Sequence, residues 1–134
     1  MSRTIHIAAA LLTGPDRRTL LVRKQGTRAF MQPGGKIDAG ETPLEALVRE
    51  LREELGLVID PAEAAYLGCF EAPAANEPDT IVVAEIFHVA TDTVASPAAE
   101  IAEAVWVDHE EALRLPLAPL TRHCVLPLLA RIAA

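Results

Sequence analysis

Glu50, Glu53 and Glu54 stand at i, i+3 and i+4. On a helix, at ~100° per residue, they share an arc of about 100°. Carboxylates so placed repel: a like-charged i, i+4 pair such as Glu50 with Glu54 costs about 0.2–0.5 kcal/mol. Arg49 and Arg52 offset part of that, for instance through Arg49 with Glu53. A bound divalent cation offsets far more. Hard ions such as Mg²⁺ take oxygen ligands and sit between carboxylates and the phosphates of a substrate. Taken alone, the spacing more often marks a solvated face laced with Glu–Arg pairs. The residues in front of it decide between the two.

The segment carries a full set of helix signals. Thr42 suits the N-cap, Pro43 the first helical position, and Glu45 completes a capping box. Leu44, Leu47, Val48, Leu51 and Leu55 make one apolar stripe, and Gly56 supplies the stop. The three carboxylates are expected beside that stripe, not within it. Gly34 and Gly35, just upstream, let backbone approach a ligand closely.

Gly35, five residues, Glu41, seven residues, then Arg49-Glu50-Leu51-Arg52-Glu53-Glu54-Leu55-Gly56-Leu57 resembles the Nudix box at every defined position. The resemblance implies an α/β fold, a mixed sheet sandwiched between α-helices. It implies Mg²⁺-dependent (or Mn²⁺-dependent) hydrolysis of a diphosphate linkage in a small nucleotide-like substrate. Glu50, Glu53 and Glu54 match the metal-binding carboxylates, and the Gly34 carbonyl matches a further ligand. Glu41 matches the supporting loop glutamate, and Arg49 the arginine that orients the carboxylates. Some members use a further glutamate outside the box. Glu100, six residues before Trp106, is favoured for that place over Glu103. Which glutamate serves as general base stays open.

The rest of the chain must position this helix. Its 134 residues, 51% of them apolar, fit a single domain with an ordinary core. Strands are predicted over 5–12, 19–24, 65–70, 80–89 and 104–107. A short extended piece is predicted over 30–36, a hairpin loop over 13–18 and a polar loop over 72–79. Helices are predicted over 109–115 and 120–132. Such an order points to a sheet with helices packed on it.

No apolar run approaches the ~20 residues that span a bilayer. No export signal is evident, since Thr4 and His6 interrupt the apolar start and a turn follows it. The expected compartment is the cytoplasm. A net charge of −7 argues against a nucleic-acid polymer as partner. The expected state is a monomer or a homodimer. Cys69 and Cys124 are expected to be free, buried thiols. The four histidines show no ligand spacing and read as structural.

Gly34-Gly35-Lys36 is not a P-loop, because Ile37 follows the lysine. Arg23 and Lys24 alternate on the second strand, so one is expected to reach substrate phosphates. Gly35 and Phe30 complete the expected substrate contacts. Core packing is expected for Phe87, while Trp106 fits either core or stacking. Members that resemble the bacterial mutator protein read the base with an asparagine in the final loop. Residues 115–121 have none, which weakens an oxidised-guanine reading. The extra N-terminal segment of sugar-nucleotide Nudix hydrolases is not seen either. The 70–79 loop is the alternative specificity element. A catalytically dead binding module would be expected to lack a box glutamate. An isopentenyl diphosphate isomerase would need a cysteine context that Cys69 does not have.

Overall fold

Leu20, Leu21 and Val22 are no more than 1% exposed, and Ala8 to Leu12 are wholly buried. Apolar runs buried on both faces belong to the middle of a sheet covered on both sides. The computed structural model describes residues 3–93 and 95–133 and shows that arrangement. Strands β1 (Arg3–Thr13), β2 (Thr19–Lys24), β3 (Phe30–Met31) and β4 (Gly34–Lys36) precede helix α1 (Pro43–Leu55). After a 3₁₀ turn come β5 (Ala65–Pro73), β6 (Thr80–Ala90), β7 (Ile101–Val107) and α2 (His109–Leu113). A wide π turn, Thr121–Val125, opens α3 (Leu126–Ala133).

The sheet is mixed, in the order β3-β2-β1-β6-β5. β1 and β6 run parallel in unbroken register from Arg3↔Thr80 to Thr13↔Ala90. The other side of β1 is forked. Only Thr13 meets β2, at Thr19, while Ile7, Ala8 and Ala9 pair with β4. Ala10 donates to the Pro33 carbonyl between these two contacts. The fork brings the glycine pair into the sheet beside the central strand.

The two faces carry separate cores. Ala8, Ala10, Leu12, Leu20 and Val22 pack under Leu47, Leu51 and Leu55 of α1. Ala9, Leu11, Leu21 and Ile86 pack against Val125, Leu126 and Leu129 on the other face. Burying each such leucine contributes about 2 kcal/mol. The expected layering of a mixed sheet between helices is what forms. Among the described residues, no helix is long and apolar enough to cross a membrane.

Element ends differ in places. β5 runs on to Pro73, into what read as loop, and β7 starts at Ile101 rather than Ala104. Both gain ladder partners there: Ala72 and Pro73 pair with β6, and Ile101 pairs with Lys24. Phe87 lies in the core as expected. Cys69 is exposed and Cys124 half-buried, so the expected burial of both thiols is corrected.

Gly34 has φ +147°, and a β-carbon there would strike the Ala8 carbonyl and lie 2.7 Å from the Ala9 Cα. Its closeness serves β1 of its own sheet. Gly56, the left-handed C-cap of α1, faces open space instead. Gly34→Ala is therefore expected to lose about 2–4 kcal/mol, and Gly56→Ala only about 1 kcal/mol. Urea unfolding of both variants checks the order; equal losses would contradict the packing argument.

Candidate active site

Helix α1 is fixed at both ends by the residues that announced it. The Thr42 hydroxyl accepts from the Glu45 amide, the Glu45 carboxylate accepts from the Thr42 amide, and Gly56 closes the last turn. The buried side of the helix is wider than the leucine stripe. It includes Ala46 at 0% exposure, as well as Glu54 at 6%. On the wheel Glu54 falls between Ala46 and Leu47, inside the apolar arc. The expectation that all three carboxylates lie beside the buried stripe is corrected: Glu54 lies within it, Glu50 at 15% exposure falls in the same arc, and Glu53 at 54% stays outside.

Arg49 organises the others. Its guanidinium grips Glu41 with two hydrogen bonds, Nε to Oε2 at 2.7 Å and Nη2 to Oε1 at 2.9 Å. Nη1 donates to Glu50 at 2.7 Å and reaches Glu53 at 3.4 Å. Nη2 also donates to the Lys36 carbonyl at 3.1 Å and lies 3.4 Å from Asp38. Paired forks of this kind fix orientation as well as charge. The Arg49 bonds, helped by the Asp38 amide, hold the Glu41 carboxyl down at about 2. Glu41 and Glu50 together push the Arg49 guanidinium upward.

Gly35 stands against this cluster. A β-carbon there would lie 2.5 Å from the Glu50 carboxyl carbon. The missing side chain is the room that the Glu50 carboxylate occupies. On the buried side, Glu54 accepts one hydrogen bond, from the Gly34 amide at 3.3 Å. Burial pushes its carboxyl up to about 7, with Glu50 and Glu100 adding to the rise and the Gly34 amide and Lys24 opposing it.

The remaining expected residues divide. Lys24, Gly34 and Gly35 line a cleft of ≈ 130 Å³ with Ile5, Ile7 and Val82. Arg23 does not line it: its Nε donates to Glu103 at 3.0 Å and its Nη1 to the Thr27 carbonyl at 2.8 Å. Glu103 is therefore tied to Arg23, while Glu100 lies near enough to act on Glu54. Phe30, expected to contact substrate, is 7% exposed and packed in the core under α3. Its strand is hydrogen-bonded to Pro116 and Ala118 of the final loop. The cleft also contains Gln32 and Lys36, together with Asn76 and Glu77 of the loop expected as the alternative specificity element. Gln32 is anchored by the buried Thr121 hydroxyl at 2.7 Å. A larger cavity of ≈ 660 Å³, at the β1–β2 turn beside Trp106, holds none of the box carboxylates. The smaller cleft meets the carboxylates through its glycines: the Gly34 amide donates to Glu54, and Gly35 stands against Glu50.

A model of the NUDIX domain matches residues 3–128. The chain belongs to the Nudix family. It is 36% identical over 121 residues to a CTP pyrophosphohydrolase of Escherichia coli, covering 87% of this chain and 85% of that one. It is 33% identical over 111 residues to an 8-oxo-dGTP diphosphatase of Haemophilus influenzae, covering 79% and 77%. Longer relatives match over part of their length. An RNA pyrophosphohydrolase of Halorhodospira halophila is 50% identical over 58 residues, 43% of this chain and 31% of that one. The solved structure of a MutT protein from Methanosarcina mazei superposes with a TM-score of 0.80 at 22% identity, covering 98% of this chain and 96% of that one. This Nudix hydrolase thus has the fold that the box implied.

Nudix hydrolases use a divalent metal, and the donor set here is of the matching kind. Glu50, Glu53 and Glu54 offer hard oxygens from one helix flank. Glu54 is a buried carboxyl beside a second one, with its like-charge neighbour uncompensated except by Arg49 and Lys24. Among the described residues no three ligating side chains converge as they stand. The reason is visible: Arg49 holds Glu50 and draws Glu53 outward, where it is 54% exposed.

A carboxyl raised in the folded state favours folding while protonated. The Glu54 contribution is complete below its usual 4.5 and is lost as pH rises through about 7. The loss is about 3 kcal/mol. In EDTA, Glu54→Gln should match the wild type in stability near pH 4.5. At pH 8 it should be the more stable by that order. Denaturant unfolding at both pH values checks this; a variant no more stable at pH 8 would contradict it.

Proposed function

We propose that this Nudix hydrolase cleaves the phosphoanhydride of a nucleoside triphosphate, or of another nucleoside diphosphate derivative, with Mg²⁺ or Mn²⁺, in the cytoplasm. The observation that carries the proposal is the Glu50–Glu54 pair of α1, held against Gly34 and Gly35, whose backbone also lines the cleft. Glu50, Glu53 and Glu54 would hold the ion. When bound, the ion supplies charge that neutralises the phosphate oxygens and acidifies water at the site.

The chain's own residues do the rest. Arg49, locked by Glu41, fixes the Glu50 carboxylate and pairs more loosely with the exposed Glu53. Lys24 and Lys36 border the cleft as phosphate-binding cations. Ile5, Ile7, Met31 and Val82 give it an apolar lining and keep water from the nucleoside. A carboxylate at the phosphate end accepts the attacking water's proton.

Along β1 the distance from Ile5 to Ala9 is about 13 Å at strand rise. Gly34 pairs with Ala9 at one end, and loop residues 74–77 line the other. That polarity separates a phosphate end from a base end. Residues 115–121 do not line the cleft, and Pro116 and Ala118 hold β3 instead. Asn76 and Glu77 are polar groups available to the base, and the Asn76 Oδ1 and the Glu77 carboxylate can each accept from an exocyclic amine. Relatives named for CTP and for 8-oxo-dGTP both fit a base that carries one.

The retained Glu50, Glu53, Glu54 and Arg49–Glu41 clamp favour an enzyme over a binding module. The test is a panel of nucleoside triphosphates, oxidised deoxynucleotides, ADP-ribose and dinucleoside polyphosphates with Mg²⁺, reading pyrophosphate and phosphate. We expect one class to reach kcat/KM of about 10⁴ M⁻¹s⁻¹ or better. EDTA should abolish the activity, and Glu53→Gln should cut kcat by about 100-fold or more. Full turnover in chelator would overturn the reading.

A further inference from the structure

Gln32 links β3 to β4, and the backbone is held on either side of it. The Phe30 amide donates to the Pro116 carbonyl at 2.8 Å, and the Ala10 amide donates to the Pro33 carbonyl at 2.9 Å. Gln32 is only 6% exposed, yet it lines the cleft beside Ile5, Ile7, Met31 and Val82. An amide in such apolar company needs its polar atoms paired.

Half of that need is met from behind. Thr121, wholly buried at the start of the π turn, donates its hydroxyl proton to the Gln32 Oε1 at 2.7 Å. Among the described residues no other acceptor lies within hydrogen-bond reach of that hydroxyl. Turning the carboxamide over would set its nitrogen against the hydroxyl and strand the hydroxyl proton in the core. Thr121 therefore fixes the amide, with the oxygen toward Thr121 and the nitrogen away from it. Thr121 does not line the cleft, whereas Gln32 does. The Gln32 Nε2 carries two N–H donors and has no partner among the described residues. No enclosed side-chain N or O among those residues lacks a partner, so this nitrogen is open to the cleft. A donor fixed in orientation on an apolar wall is how a site reads one polar group of its ligand.

We propose that Gln32, set by Thr121, is a specificity-determining residue that donates to a carbonyl oxygen of the substrate's base and so selects carbonyl-bearing bases over adenine. The proposal rests on the hydrolase reading above and names the class of base within it. Phosphate is the poorer fit, since Lys24 and Lys36 border the same cleft with full charges. A glutamine free at both ends reads adenine, accepting from the amine with its oxygen while its nitrogen donates to the ring. Here Thr121 engages the oxygen, and donors face the base. Guanine and cytosine meet donors with a carbonyl oxygen beside a ring nitrogen. Adenine has no carbonyl, and its amine opposes a second donor. Asn76 and Glu77 remain for an amine, so cytosine and guanine can use both sets of groups.

Calorimetric titration of CMP, GMP and AMP in EDTA tests this, because monophosphates report the base without turnover or metal. The wild type should bind the tighter of CMP and GMP about tenfold more tightly than AMP. Gln32→Leu should bring that ligand down to the level of AMP and leave AMP unchanged. Gln32→Met keeps the side-chain length, should do the same, and decides the matter if the leucine variant does not fold. Thr121→Val releases the amide to turn, so it should narrow the preference from the other side, by raising AMP affinity several-fold. A wild type that binds AMP as well as the other two, or binds none of the three, would overturn the proposal. So would a loss in the Gln32 variants shared equally by all three ligands. Failure of the hydrolase reading looks different: the monophosphates would bind in the expected order while no triphosphate released pyrophosphate with Mg²⁺.

Discussion

Two carboxylates of one sign are kept together under a helix, and much of the structure is arranged around that constraint. Glu54 lies inside the apolar arc of α1 and Glu50 one turn before it. In water such a pair would separate. Here the capping box and Gly56 fix the helix, Arg49 holds Glu50, and the Gly34 amide meets Glu54. Burial first, and Glu50 beside it second, raise the Glu54 carboxyl. A protein with no use for concentrated negative charge would place a leucine there. Retaining the glutamate makes sense where a cation arrives to resolve the repulsion.

The fork in the sheet supplies the other half of the site. Because β1 meets β2 only at Thr13, the space along Ile7 to Ala9 is left for β4. That strand is short, and its two glycines face opposite demands. Gly34 presses on the β1 backbone, and Gly35 leaves room for the Glu50 carboxyl. Three small residues on β1, Ala8 to Ala10, admit β4 on one side and the helices on both faces. The sheet's irregularity is therefore where the Gly34–Gly35 backbone meets the α1 carboxylates.

Local signals were legible in the sequence and long-range pairings were not. Thr42, Pro43, Glu45 and Gly56 gave α1 its limits because caps act within one turn. The box gave the fold and the carboxylates. Glu54 was misplaced because Ala46 was not counted as apolar; including it widens the buried arc to take in Glu54. Arg23 read as a phosphate ligand because its partner, Glu103, lies 80 residues away. Phe30 read as a substrate contact because nothing local shows that the final loop pins its strand into the core. That Lys36 and Gln32 share a cleft with the 74–77 loop follows from segments meeting in space, which spacing along the chain does not encode.

The central claim is that the α1 carboxylates form one divalent-cation site. A Mn²⁺ titration at pH 8 of the wild type, Glu50→Gln, Glu53→Gln and Glu54→Gln tests it most directly, since it needs no substrate. The account predicts saturable binding to the wild-type protein, weakened about tenfold or more by each substitution. Binding unchanged in all three variants, or no binding to the wild type, would contradict it.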